Sequence, residues 1–266
     1  MTTEMPKIGL GTWRLRGREC VDVVALALEL GYRHVDTAQM YENETEVGAG
    51  LRSASVSRDN IFVTTKVHQD RFTDGTAFES ARDSIDRIGV GPVDLILCHW
   101  PPKTVETEKV MDDLLEMKAA DLTRSIGLSN SNVSQMERAS ACGAVLTNQV
   151  EFHPLIDQSR LLDTARRTGM TLTAYTPIIK GKALTLPVVQ DISSETGKSP
   201  AAVVLRWVIQ QGVAALCKSS NPERLAGNLQ AFDFALSNDQ MARITKLTRA
   251  NERHTNHPDW SPDWEK

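Results

Sequence analysis

The sequence predicts an α/β protein, a single (β/α)8 barrel of the TIM type, and three observations carry that expectation. From Gly31 onward, short apolar β-branched runs alternate with longer stretches of helical period, the pattern of a parallel sheet with crossover helices. Eight such units follow one another with no break in composition, which favours closure over an open doubly wound sheet. Asp36, Tyr41, Lys66 and His99 each fall at or just past the end of a β-branched run, and in a parallel barrel the side chains at strand ends point into one crevice.

Taken in order, the candidate strands are 32–35, 61–65, 93–98, 125–128, 145–148, 171–174, 213–216 and 231–234, the last resting on the weakest pattern. Between them, 21–30, 76–88, 105–120, 133–142 and 159–168 repeat apolar residues at helical spacing, and 45–54 reads as a further helical run. An open nucleotide-binding sheet would carry an early Gly-x-Gly-x-x-Gly, whereas Gly9 and Gly11 are followed by Trp13 and Arg14. Residues 1–266 read as one domain, with an irregular closing segment at about 251–266 that is rich in His, Pro, Asp and Trp.

Composition excludes several functions. The 266 residues are 41% hydrophobic and 24% charged with a net charge of −4, both signs interspersed. That leaves no basic stripe for nucleic acid. No window approaches the roughly 20 apolar residues of a membrane span, and residues 1–7, with Glu4 and Pro6, lack the apolar core of a signal peptide. Cys20, Cys98, Cys142 and Cys217 are widely spaced without a CxxC pair, against both structural zinc and a disulfide framework. His153, His254 and His257 have no partner at metal-ligand spacing. The expectation is a cytoplasmic protein with no metal, no nucleic acid and no membrane partner.

Three clusters carry the chemistry. Asp36 and Tyr41 open a loop between a strand and the helical run at 45–54, where a phenol reaches a bound substrate; alone, Asp36 would read as a helix cap and Tyr41 as surface packing. Lys66 ends a buried strand, where an ammonium needs a counter-charge that Asp36 can supply. If that ammonium also contacts Tyr41, it moves the phenol down from about 10 toward working pH. His99 closes a hydrophobic strand beside Trp100 and can donate to a carbonyl or relay a proton. Acid, phenol, amine and imidazole together point to proton transfer to a carbonyl oxygen.

Over nearly its whole length the chain resembles the aldo-keto reductases, and more closely the short bacterial 2,5-diketo-D-gluconate reductases. The resemblance rests on Gly9-Leu10-Gly11-Thr12-Trp13, Asp36-Thr37-Ala38 through Tyr41 and Asn43-Glu44, Thr65-Lys66, His99-Trp100-Pro101 and Gly127-Leu128-Ser129-Asn130. It continues through Asn148-Gln149 with Glu151 and His153-Pro154, Ala174-Tyr175, and the run from Lys218 to Arg224.

It implies a tetrad of Asp36, Tyr41, Lys66 and His99, with NADPH/NADP+ extended across the C-terminal end of the barrel. Ser129, Asn130 and Gln149 would hold the nicotinamide carboxamide and Tyr175 would stack on its ring. Gly11 and Thr12 would also contact the cofactor. Lys218, Ser219, Ser220, Arg224 and Asn228 would take the adenosine end, where cations at a helix start suit a 2′-phosphate and favour NADPH over NADH. Trp13, His68 and Trp100 would line the substrate pocket, and Trp260 or Trp264 would join them if the closing segment folds over the substrate.

The chain departs from the family pattern at His68, where Trp is common, at Ser131 for Phe, at Gly227 for an acidic residue and at Cys217 for Pro. The implied activity is reduction of a small polar aldehyde or ketone, with 2,5-diketo sugar acids leading and methylglyoxal-type aldehydes as the alternative, in a monomer. A Schiff-base aldolase using Lys66 and a catalytically weak NADPH-binding sensor are the competing classes.

Overall fold

The computed structural model describes residues 4–265. Eight parallel strands close in chain order: β1 (Ile8–Gly11), β2 (His34–Asp36), β3 (Phe62–Val67), β4 (Val93–Cys98), β5 (Thr123–Ser129), β6 (Thr147–Glu151), β7 (Thr171–Tyr175) and β8 (Ala214–Cys217). Around them lie α1 (Gly17–Glu29), α2 (Glu44–Ser53), α3 (Gln69–Thr73), α4 (Ala77–Ile88), α5 (Thr107–Ala119), α6 (Val133–Cys142), α7 (Ser159–Thr168), α8 (Pro187–Thr196), α9 (Pro200–Gln210), α10 (Pro222–Leu229) and α11 (Asn238–Thr245). The (β/α)8 expectation holds.

One strand is corrected. Residues 231–234 are not a strand; the chain there forms a 3₁₀ turn, Gln230–Phe232, directly after α10. The remaining strand is β1, which pairs with both β2 and β8 and so closes the barrel. Two glycines in four residues hide it, because glycine has little strand propensity. Gly9 is nonetheless required there: a Cβ would stand 2.8 Å from both His34 Nδ1 and Leu216 Cδ2.

α8 and α9 also escaped the pattern. Each begins on a proline at its first turn. α9 buries Ala202, Val203, Val204, Leu205, Trp207 and Val208 on nearly all sides, which blurs a one-faced stripe.

Two faces of the sheet divide the core. Outward side chains pack under the helices in one continuous apolar cluster that includes Val35, Val63, Ile96, Ile126, Val150 and Leu172. Inward side chains plug the base with Met5, Phe62, Leu95, Leu97 and Ala214. Because side chains alternate along a strand, the same parity that puts Phe62, Leu95 and Leu97 inside carries Lys66, His99, Ser129 and Gln149 to the inner face higher up.

His34 sits inside this base, with Nε2 2.9 Å from Thr64 Oγ1. Burial pushes its imidazole down to about 4, below the ordinary value near 6.5. The unfolded chain therefore binds more protons than the folded one between those pH values, so stability should fall as pH drops from about 6.5 to about 4. Urea unfolding across that range should show the loss, and His34→Gln should flatten it.

A second expected outcome concerns α2, which crosses α4 at Gly48. A Cβ at Gly48 would lie 1.9 Å from Ile88 O, a backbone atom that cannot swing aside. Gly48→Ala should lower the unfolding free energy by about 1–3 kcal/mol or more, read from the urea midpoint.

Candidate active site

Lys66 is fully buried at the mouth of the barrel, and its ammonium has three acceptors in reach: Asp36 Oδ1 at 2.5 Å, Thr37 O at 2.7 Å and Tyr41 OH at 3.4 Å. Burial alone would favour the neutral amine; the Asp36 carboxylate and the Tyr41 oxygen outweigh it and hold Lys66 above the usual amine range. The other carboxylate oxygen of Asp36 accepts a hydrogen bond from Gln149 Nε2 at 2.8 Å, across the barrel from β6.

The loop carrying Tyr41 is tied down by the residues around it. Thr37 Oγ1 donates to Asn43 Oδ1 at 2.8 Å, and Asn43 Nδ2 donates to the carbonyls of Thr12 and Leu15. Buried Glu44 receives Thr65 Oγ1 and the guanidinium of Arg87.

Desolvation is the leading influence on Tyr41 and raises it; Lys66 pulls it down, and Asp36 adds to the rise. The net direction is upward. This corrects the sequence expectation of a phenol drawn toward neutral pH: the Lys66 attraction is present but smaller than the desolvation. The phenol therefore keeps its proton near pH 7.

His99 faces Tyr41 edge-on, with ring centroids 5.7 Å apart. Burial first, then Lys66 and His68, depress its imidazole well below the usual range, so it is neutral. Its Nδ1 is buried without a partner among the described residues. A buried N–H left unpaired is costlier than an unpaired acceptor, which favours the tautomer with the proton on Nε2.

These groups open into a cleft of about 470 Å3. Gly11, Trp13, Asp36, Tyr41, His99, Trp100, Ser129, Asn130, Gln149, Tyr175 and Lys218 line it, so most of the sequence-predicted site residues meet in one place. Lys66 lies beneath them. Ser129 Oγ donates to Gln149 O, and Asn130 Nδ2 to His99 O; Tyr175 OH donates to Asn130 Oδ1 at 2.7 Å. Asn130 adopts a left-handed φ of 57° at the end of β5, turning its amide back over the mouth.

Other expected residues lie off the cleft wall. Thr12 gives both its N–H and its hydroxyl to Asp36 O. Asn228 is buried against Tyr32 OH at 3.4 Å. Ser219 Oγ accepts from Asn221 N–H, and Asn221 caps α10 at Arg224 N–H, which leaves Ser220 and Arg224 at the exposed start of that helix. His68 accepts from Asp70 N–H and stands 6.2 Å from the Trp260 ring.

The cleft also has walls that sequence reasoning did not assign. Arg14, Met40, Lys180 and the stretch Thr176-Pro177-Ile178 line it, as do Leu216, Cys217, Thr255 and His257. Only the two cations carried a readable signal. Trp260 reaches the cleft from the closing segment, whereas Trp264 does not and lies under Arg253 at 3.7 Å. Among the described residues, no group of three His, Cys, Asp or Glu could hold a metal.

Asp36→Asn should expose how much of the local structure rests on the pair. It leaves a buried ammonium without its counter-charge, so the unfolding free energy should drop by about 3–5 kcal/mol, measured by urea denaturation.

Comparison with known proteins identifies the family. The aldo/keto reductase family model matches residues 7–249. Methylglyoxal reductase DkgB of Yersinia pestis is 38% identical over 266 residues, covering 98% of this chain and 99% of its own. An aldo-keto reductase of Mycolicibacterium smegmatis is 39% identical over 254 residues, covering 91% of this chain and 90% of its own. A crystal structure described as "a putative 2,5-diketo-D-gluconic acid reductase B" superposes with a TM-score of 0.95 at 40% identity, covering 98% of this chain and 94% of the other. The chain is an oxidoreductase and belongs to the aldo/keto reductase family.

Proposed function

We propose that the protein reduces small polar aldehydes and ketones to alcohols with NADPH, with keto sugar acids of the 2,5-diketo-D-gluconate type as the leading substrates. The observation that carries this reading is the convergence of Tyr41 and His99 on one cleft above the buried Asp36–Lys66 pair. Reactive aldehydes such as methylglyoxal are the second reading, supported by the name of the Yersinia pestis relative. The reading takes 1–266 as one barrel domain acting as a cytoplasmic monomer on a small molecule.

The donor set of the cleft suits a dinucleotide. Gln149 spends its amide N–H on Asp36, while its Oε1 has no partner among the described residues and can accept from a carboxamide. Tyr175 offers an aromatic face beside Asn130 and Ser129, next to Gly11. Lys218 stands on the cleft wall where α10 starts, with half-buried Ser219 and exposed Ser220 and Arg224 beyond it, a setting for phosphate. NADPH, when bound, supplies the hydride.

The residues of the chain do the rest. His99, neutral and with its proton on Nε2, donates to the substrate carbonyl and orients it. Tyr41 keeps its proton at neutral pH and delivers it to the oxygen as negative charge develops there. Lys66, held cationic by Asp36, stabilises the phenolate that remains. Trp13 and Trp100 give the cleft apolar walls that limit water.

Tyr41→Phe should lower carbonyl turnover by about 10²-fold or more while NADPH binding, followed by fluorescence titration, persists. The assay compares NADPH and NADH oxidation with 2,5-diketo-D-gluconate, methylglyoxal and an aromatic aldehyde. Undiminished turnover in the variant would remove Tyr41 from the role, and failure to bind either nicotinamide would overturn the proposal.

A further inference from the structure

Glu151 ends β6 with its side chain wholly buried, two residues beyond Gln149. Its carboxylate collects three donors. Oε1 accepts the backbone N–H of His254 and Oε2 that of Thr255, each at 2.9 Å. His153 Nδ1 accepts from Leu155 N–H, so Nε2 carries the proton and donates to Glu151 Oε1 at 2.9 Å.

The segment receiving this attention has no strand or helix from Asn251 to Glu265, so no backbone ladder of its own keeps it in place. Its other attachments include Glu252 N–H to Leu155 O at the start of the segment and, nearer solvent, Lys182 to Glu252, Lys103 Nζ to Pro258 O, Asn132 Nδ2 to Asp263 O and Arg160 to Glu265 O. Immediately past the residues Glu151 holds, the strap lays His257 and Trp260 against the cleft. Those two rings stack at 4.3 Å, and the Trp260 ring lies 6.3 Å from that of Trp100.

We propose that Glu151 is a positioning residue for substrate: it pins the strap at His254 and Thr255, and so sets the affinity for carbonyl compounds long enough to touch the His257–Trp260 panel. It takes no part in the hydride or proton transfer. The proposal rests on the reductase reading above. The physical reason is that a carboxylate in the barrel wall stripped of two of its donors is an uncompensated buried charge, so the closed strap is the favoured state. An amide cannot replace it, because Gln at this position turns an NH2 toward a backbone N–H.

The test compares wild type with Glu151→Gln and with His254→Pro, which removes one N–H from the strap side together with the ring that lies 5.5 Å from that of His153. For a long substrate, 4-nitrobenzaldehyde, KM should rise about tenfold or more in both, the loss expected for a hydrogen bond to a charged group. For methylglyoxal, too short to reach the panel, KM and kcat should stay within about twofold, and kcat for 4-nitrobenzaldehyde should hold, since uniform binding alone is lost. Amide hydrogen exchange at 255–257 and 259–260, which needs no turnover, should speed up in both variants.

If Glu151→Gln does not fold, His254→Pro alone decides. Unchanged exchange and unchanged KM in the folded variants, or equal losses for short and long substrates, would overturn the latch. A wild-type protein that turns over no carbonyl compound overturns the reductase reading and this role with it, whereas normal wild-type turnover with strap exchange unmoved overturns the latch alone.

Discussion

An ammonium buried at the mouth of a barrel cannot stand without compensation, and the site is organised around that constraint. Lys66 is fully enclosed, and isolated burial of such a charge costs several kcal/mol even after relaxation. Asp36 on the neighbouring strand answers it, Thr37 O adds a second acceptor, and Gln149 reaches across the barrel to hold the far oxygen of Asp36. Each partner comes from a different place in the chain, so the pair exists only when β2, β3 and β6 are in register. Folding and site assembly are therefore one event.

Register makes the assembly possible. Asp36 lies opposite Thr64, Lys66 opposite Leu97, Ser129 opposite Gln149 and Glu151 opposite Tyr175. Inward parity on every strand then delivers polar side chains to the C-terminal mouth while apolar ones fill the base. A one-residue slip on β3 would exchange Lys66 for Thr65 or Val67 and put the ammonium among the helices. The apolar plug of Met5, Phe62, Leu95, Leu97 and Ala214 opposes such a slip.

Electrostatics at the mouth separates the roles. The same low-polarity surroundings that raise Tyr41 depress His99, and Lys66 acts on both: it opposes the rise of the phenol and adds to the fall of the imidazole. The outcome at neutral pH is a protonated phenol beside a neutral imidazole, two hydrogen-bond donors facing one cleft. The closing strap adds the aromatic wall of His257 and Trp260, bringing the distal end of the chain within reach of groups far earlier in the sequence, such as Trp100.

What was legible in the sequence was whatever has a local cause. Continuous apolar runs such as 93–98 announced buried parallel strands, and polar residues at their ends, where an amine or imidazole is out of place, announced Lys66 and His99. Strand β1 was obscured because Gly9 answers a tertiary need, room for the His34 ring, that no local propensity records. α9 was obscured because it is buried on most sides. The contributions of Thr176, Ile178 and Thr255 to the cleft were unreadable because each depends on a loop or strap path fixed by distant partners.

The sequence by itself determined the alternation of strands and helices, the identity of the four polar strand-end groups and, through its motifs, the family. Only the tertiary structure decided that Gln149 braces Asp36, that desolvation outweighs Lys66 at Tyr41, and that Glu151 grips the closing segment. Hydrophobic period and turn chemistry act over a few residues and leave their mark in the order of the chain. Dielectric environment and the pairing of buried charges depend on which distant segments meet, and they come into being only when the barrel closes.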